Sequence, residues 1–342
     1  MSGHGGVYSD AEFSDLIFAD QKLSQVIYVA LVQSERMERG LLGQPWAVTP
    51  SEVKTFAPST TGAILVPVLD QEKVQQSLSI GMTLARANGT GLMIVRPVSI
   101  PSQRPLELTR EERVEHHVVV DEIVADATKK YPGLDIRGVV RLGRGIERTI
   151  RNAVTEHSIS AVVLEESPTS KRFPVVRRTL AERIAASVPC AAIVTNSMGS
   201  LASISSILVP VGDNSNTGLA VDIGHVLASE HDAWIDIIHV IPDDAPDRIQ
   251  TRAEQYVAAA IDRLGSAKRV NTWIVETDDT TATIAEQTEF YDMTVLGASQ
   301  KGRLQRLLFG STTDTVFSTA SQSVAMAITA ENWAIQWRIS TV

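Results

Sequence analysis

The stretch Leu296-Gly297-Ala298-Ser299-Gln300-Lys301-Gly302-Arg303 is followed by Gly310-Ser311-Thr312-Thr313-Asp314, which opens a helical pattern. Residues of these types in this order suit the binding of an anion. Gly297 and Gly310 have no Cβ, so the backbone there can pass close to a ligand. The first amides of a helix that starts at Gly310 have no intrahelical acceptor, and such a helix start attracts phosphate. Ser311 and Thr312 can add hydroxyl hydrogen bonds, and Lys301 or Arg303 can screen the charge. The same residues have a second reading. Ser311-x-x-Asp314 is a capping box that satisfies two amides with no ligand at all, and Asp314 sets a negative charge near any phosphate.

Other chemistry is not spelled out. The chain has no Gly-x4-Gly-Lys-[Ser/Thr] loop, no paired histidines with a glutamate for zinc hydrolysis and no Gly-x-Ser-x-Gly elbow. No reaction is therefore expected, and any hydrolysis of ATP would be slow and incidental. His116 and His117 are neighbours and point about 100° apart on a helix, a poor metal pair. His239 reads as a core or site-edge residue rather than a base. Cys190 is the only cysteine, which rules out an intrachain disulfide and a cysteine zinc cage and fits a reducing cytoplasm. A formal charge of −9 argues against sequence-independent binding to nucleic acid or anionic lipid. No cleavable signal is visible at Met1 to Asp10, and the apolar run Val26–Val32 is far shorter than the roughly 20 residues of a membrane span. A cytoplasmic protein is expected.

The elements that must position these residues come from a repeat. Ile64-Leu65-Val66-Pro67-Val68 recurs as Ile207-Leu208-Val209-Pro210-Val211. The ends repeat too, with Ala186-Ser187 leading to Ile193-Val194-Thr195 and Ala320-Ser321 leading to Ala327-Ile328-Thr329. Short apolar runs alternate with amphipathic segments in each unit. That pattern predicts an α/β fold of two tandem open, mainly parallel five-stranded sheets with helices on both faces. Strands are expected near 63–68, 91–97, 135–141, 160–164 and 190–195, and near 205–211, 234–241, 269–275, 292–297 and 323–329. Long helices are expected at 109–130 and at 246–264, the latter with a stripe of Ala253, Tyr256, Val257, Ala260, Ile261 and Leu264. Residues 1–61 form a helical and irregular leader, 62–195 the first unit, 196–204 a Ser- and Gly-rich linker, and 205–329 the second unit. In residues 330–342, Trp333, Ile335, Trp337 and Ile339 alternate with smaller or polar residues. This period of two predicts a half-buried strand on a sheet edge or against the leader.

The run Gly297 to Ser311, about one domain after an Ile-Leu-Val-Pro-Val strand, resembles the universal stress protein family, whose nucleotide motif is Gly-x2-Gly-x9-Gly-[Ser/Thr]. Gly297, Gly310 and Ser311 match; Gln300 stands at the middle glycine, with Gly302 two positions late. The family usually has an Asp directly after the first strand, where this chain has Gly212 followed by Asp213. The resemblance covers both units. It implies an adenine nucleotide alpha hydrolase-like fold and a regulatory protein that binds ATP or another adenine nucleotide, with Mg2+ accompanying ATP. Adenine and ribose contacts would come from Pro210, Val211, Asp213, Val240 and Ile241, and phosphate contacts from Gly297, Gln300, Gly310, Ser311 and Thr312. In the family the last strands of two domains commonly pair, which implies a homodimer or an internal pseudo-dimer through 189–195 and 324–329. The first unit has Glu165 where Gly297 stands and Arg178 where Gly310 stands, so it reads as a degenerate, structural or partner-binding copy. Its segment Ile100-Pro101-Ser102-Gln103-Arg104-Pro105-Leu106 is similar to stress-protein modules fused to amino-acid transporters, which implies a membrane transporter as partner. The rival reading is an interaction module that binds no nucleotide.

Overall fold

The computed structural model describes residues 62–166, 179–196, 204–214, 216–265, 267, 269–298 and 310–328, with the side chains of 310–314 excepted. The leader 1–61 and the tail 330–342 lie outside the described residues. The first half runs β1 (Ala63–Pro67), α1 (Gln75–Ala87), β2 (Leu92–Ser99), α2 (Arg110–Lys130), β3 (Ile136–Gly143), α3 (Ile146–Glu156), β4 (Ile159–Glu165), α4 (Leu180–Ser187) and β5 (Ala191–Thr195). The second half repeats the order: β6 (Ser206–Pro210), α5 (Thr217–His231), β7 (Trp234–Ile241), α6 (Asp247–Leu264), β8 (Val270–Glu276), α7 (Thr280–Gln287), a short 3-10 turn at Thr288–Phe290, β9 (Met293–Gly297), α8 (Gly310–Thr319) and β10 (Ser323–Ile328).

Central strands are apolar on both faces because helices cover both. Every residue of β1 and of β5 is buried. The strand order is β3-β2-β1-β4-β5-β10-β9-β6-β7-β8, a single ten-stranded sheet. It consists of the two expected five-stranded sheets, joined by pairing of their last strands as in the expected internal pseudo-dimer. The seam is β5 against β10, antiparallel, from Thr195 opposite Ala325 to Ala192 opposite Ile328. Each half would otherwise leave its last strand with a row of unpaired amides and carbonyls, and fusing the two rows removes two edges at once.

The segment expected as a linker is held at both ends. Asn196 is 3% exposed. Its amide donates to the Val324 carbonyl at 3.2 Å, its Oδ1 accepts from Val324 N at 2.9 Å, and its Nδ2 donates to the Gln322 carbonyl at 2.9 Å. Asn196 thus extends the seam by one step, and Ile204 at the far end is packed in the main core.

The repeat reaches into the helices. Gly81 of α1 and Gly224 of α5 share the spacing that relates the two Ile-Leu-Val-Pro-Val strands. A Cβ on Gly81 would lie 2.6 Å from Val66 Cγ2, and one on Gly224 would lie 2.9 Å from Val209 Cγ2. Each glycine lets its helix settle on the first strand of its half. In α6 the expected stripe buries Ala253, Val257, Ala260 and Leu264, whereas Ile261 is 41% exposed. Helix α2 begins as expected, with a capping box in which Thr109 Oγ1 accepts from the Glu112 amide and Glu112 accepts from the Thr109 amide. Among the described residues no helix is long and apolar enough to cross a membrane.

Candidate functional site

In the second half the strand order turns at β6. The chain passes from β6 outward to β7 and β8, while β9 and β10 lie on its other side. At such a reversal the loops leaving the two central strands diverge and a crevice opens beyond their carboxyl ends. The loop Val211-Gly212-Asp213-Asn214 after β6 and the end of β9 at Gly297 therefore face each other.

Two asparagines tie these loops together. Asn214 Nδ2 donates to the Gly297 carbonyl at 2.5 Å and Asn216 Nδ2 donates to the Ala298 carbonyl at 2.6 Å. Asn214 Oδ1 also accepts from the Asn216 amide at 2.9 Å, and the Thr217 hydroxyl donates to the Gly212 carbonyl at 3.1 Å. Neither asparagine was singled out from the sequence. The available signal was the polar run Asp213-Asn214-Ser215-Asn216-Thr217 between a strand and a helix, which is the composition of an Asx turn.

Gly297 is required for a reason other than a ligand. A Cβ there would lie 2.7 Å from Asn216 C, 2.8 Å from Thr217 N and 2.9 Å from Asn216 O. The space beside Gly297 is taken by the first residues of α5, packed down by the asparagine clamp. Gly212 differs, since the nearest atom to a Cβ there is His239 Cε1 at 3.7 Å.

His239 lies at the site edge. Its Nδ1 sits 2.7 Å from the Val211 carbonyl, so this nitrogen carries the proton and donates. Its ring centroid is 5.2 Å from that of Tyr256. Tyr256 accepts from Arg252 Nε at 2.9 Å, and Arg252 Nη2 lies 3.8 Å from Asp213 Oδ2. Arg252, which the sequence reading did not select, thus brings a cation from α6 to the rim beside Asp213. The place of His239 is held in the first half by Arg96, whose Nη1 donates to the Val68 carbonyl at 3.0 Å.

Of the expected nucleoside contacts, Pro210 closes β6 half-buried, Val211 follows it buried, and Asp213 is exposed. Val240 is half-buried and packs toward the cluster that holds Leu296 and Ala298. Ile241 points to the other face. It is 2% exposed and packs with Ala245 and Ala253, so its side chain has no surface for a ligand. The parity of β7 separates these two neighbours. Gly297 ends β9 and Gly310 opens α8. Ser311 and Thr312 follow in the first turn of α8, with side chains outside the described residues, as are Gln300, Lys301, Gly302 and Arg303.

The matching crevice of the first half is described in more detail. Glu165 stands opposite Thr195 as Gly297 stands opposite Ala327, which makes Thr179 the counterpart of Ser311. Thr179 Oγ1 accepts from the Glu182 amide at 3.2 Å and donates to Glu166 at 3.0 Å, while Glu182 accepts from the Thr179 amide at 2.8 Å. The capping box is therefore the arrangement this half adopts. A cavity of about 200 Å³ remains, lined by apolar residues that include Pro67, Leu69 and Leu180, by the carboxylates Asp70, Glu165 and Glu166, and by Lys73, whose Nζ lies 3.3 Å from Asp70. With three carboxylates against one ammonium that is already paired, the lining disfavours phosphate.

Outside the crevices several titratable groups are shifted, chiefly by burial. Burial pushes the Cys190 thiol up to about 12, so it is not a nucleophile at neutral pH. Burial, with His116 adding to it, pushes His117 down to about 4. Among the described residues no group of three or more His, Cys, Asp or Glu side chains is placed to hold a metal ion.

Residues 204–327 match the model of the universal stress protein family. Among solved structures, a putative universal stress protein from Pseudomonas aeruginosa UCBPP-PA14 superposes with a TM-score of 0.56 at 15% identity, covering 78% of this chain and 92% of that one. A universal stress protein from Archaeoglobus fulgidus DSM 4304 gives 0.55 at 15% identity, over 80% and 98%. The cytoplasmic domain of a prokaryotic cation chloride cotransporter gives 0.51 at 14% identity, over 79% and 96%. At these identities the likeness is one of fold, and its extent takes in both halves. No curated protein sequence matches.

Proposed function

With residues 204–327 a universal stress domain, we propose that the second half binds ATP or another adenine nucleotide in the crevice between β6 and β9 and acts as a regulator without a reaction of its own. What supports this reading is that the strand order reverses between β6 and β9, that α8, the helix following β9 in the chain, starts at Gly310, and that the backbone at Gly212 has open space beside it. Unpaired amides of α8 suit phosphate oxygens. In this reading Gly310, Ser311, Thr312, Gln300 and the backbone of Gly297 hold phosphate, and Mg2+ accompanies it when the ligand is ATP. Pro210, Val211 and Val240 form the apolar wall for adenine, and Asp213, steadied by Arg252, meets the ribose. Ile241 contributes only its place at the strand end.

The first half supports a second reading for itself, that of a docking module. Its crevice carries three carboxylates in place of a phosphate cradle. Its 100–106 loop is pinned by Arg144, whose Nη1 donates to the carbonyls of Pro101 at 2.6 Å and Arg104 at 2.8 Å. A loop held in one shape at the surface suits a protein partner such as a membrane transporter.

Competition between nucleotides tests the nucleotide reading. A fluorescent ATP analogue bound to the full chain is expected to be displaced by ATP and AMP and less readily by GTP, whose additional polar edge groups cost more to bury against the apolar wall of Pro210, Val211 and Val240. Absence of binding by any adenine nucleotide at millimolar concentration would leave the docking module as the function of both halves.

A further inference from the structure

The two outer edges of the sheet are finished differently. In the first half β3, which also ends the sheet, carries Arg137 and Arg141 and is packed by helices on its faces. Gly138 lies opposite Ile94 and has no side chain, which lets α2 descend onto the strand: a Cβ there would collide with Val120 Cγ1 and lie 2.7 Å from Val124 Cγ2. Val139 and Val140 are then 5% and 6% exposed. In the second half the same pairing place, opposite Ile237, is held by Thr272. The next two residues, Trp273 and Ile274, are 53% and 41% exposed, one on each face. Along β8 the four residues from Asn271 to Ile274 are all exposed, and its outer side has no strand partner among the described residues.

Edge strands are normally blunted by charge, proline or a covering helix. The run Val270-Asn271-Thr272-Trp273-Ile274-Val275 has no charge and no proline, and most of it favours extended structure. We propose that β8 is an interface for a second copy of this chain, pairing antiparallel with its own counterpart about Trp273. A two-fold axis there sets the two Trp273 side chains together on one face. Thr272 then faces Ile274 of the second copy, Asn271 faces Val275, and Val270 faces Glu276. No like charges meet. The joint repeats what the chain already does at β5 and β10, where two edges fuse antiparallel.

The chain's own tail is a poorer occupant. β8 lies four strand spacings from β10, about 19 Å, whereas the five steps from Ile328 to Trp333 reach about 17 Å when fully extended. Trp333, the first residue of the tail's alternating segment, therefore falls short of β8, whereas a second copy brings an edge of the same length.

Light scattering and sedimentation of the full chain over a concentration series test this. The wild type is expected as a dimer, and Thr272→Lys/Ile274→Lys, which sets lysine against lysine across the joint, is expected to raise the dissociation constant at least a hundredfold. Thr272→Lys/Ile274→Glu sets lysine against glutamate in the same register and is expected to stay dimeric. Both exchanged positions are exposed, and circular dichroism checks that each variant is folded. A monomeric wild type, or a lysine-lysine variant as dimeric as wild type, overturns the proposal. A lysine-glutamate variant as monomeric as the lysine-lysine one overturns the register and the pairing built on it. Slow amide exchange at 271–275 in a monomer, lost on removal of 330–342, would assign the edge to the tail and overturn it as well.

Discussion

Gly310→Asp is expected to weaken nucleotide binding by tenfold or more and to leave the fold intact. The two halves of this expectation have one cause. A carboxylate in the first turn of α8 is favourable to the helix, because it sits at the positive end of the dipole, where acidic residues contribute about 0.3–1 kcal/mol. It also occupies the place of a bound phosphate and repels what remains of it. Two like charges about 4 Å apart near a surface cost about 1–4 kcal/mol, and about 1.4 kcal/mol is already tenfold in affinity. Isothermal titration with ATP and a melting curve, run on the same preparation, separate the two effects. Unchanged affinity with an unchanged melting point would mean that the helix start serves as a cap alone, as Thr179 does in the first half.

Gly297→Ala is expected to act on the fold instead. Its methyl group would fall 2.7–2.9 Å from backbone atoms of Asn216 and Thr217, which cannot swing aside as a side chain can. Overpacking of this kind costs about 1–3 kcal/mol. The clamp resists relief, since Asn214 and Asn216 hold the carbonyls on either side. Gly212→Ala serves as the comparison. Its methyl group would meet only the His239 ring at an ordinary contact distance, and its stability is expected within about 0.5 kcal/mol of wild type. Chemical denaturation of the three proteins checks the order. Equal midpoints for the two alanine variants would show that α5 can move off β9.

These two glycines show how far the sequence could be read. The repeat of Ile-Leu-Val-Pro-Val was legible because a doubly covered strand must be apolar throughout, and the same order of strands and helices follows it in each half. The seam between β5 and β10 was anticipated from the resemblance, and it makes one sheet of the two halves. Gly297 was picked out for close approach to a ligand, but a missing Cβ does not say what approaches, and what the structure sets against it is the start of α5. The partners of Asn214 and Asn216 lie more than 80 residues away, beyond any local pattern. Val240 and Ile241 looked alike as a strand end, and only the parity of β7 against its neighbours sends one to the crevice side and the other into the α6 core. The exposed edge at β8 was missed because a strand is read from its own residues, whereas its cover depends on whether the helix across from it finds a glycine, as at Gly138, or a threonine, as at Thr272.

The account rests on one half of the chain holding a nucleotide while the other half, built to the same plan, does not. Calorimetric titration of the purified full chain with ATP, after removal of any ligand that copurifies, measures this directly through its stoichiometry. One ATP per chain, lost in Gly310→Asp and unaffected by Glu165→Gln, is the predicted result; two per chain, or none at saturating concentration, would contradict it.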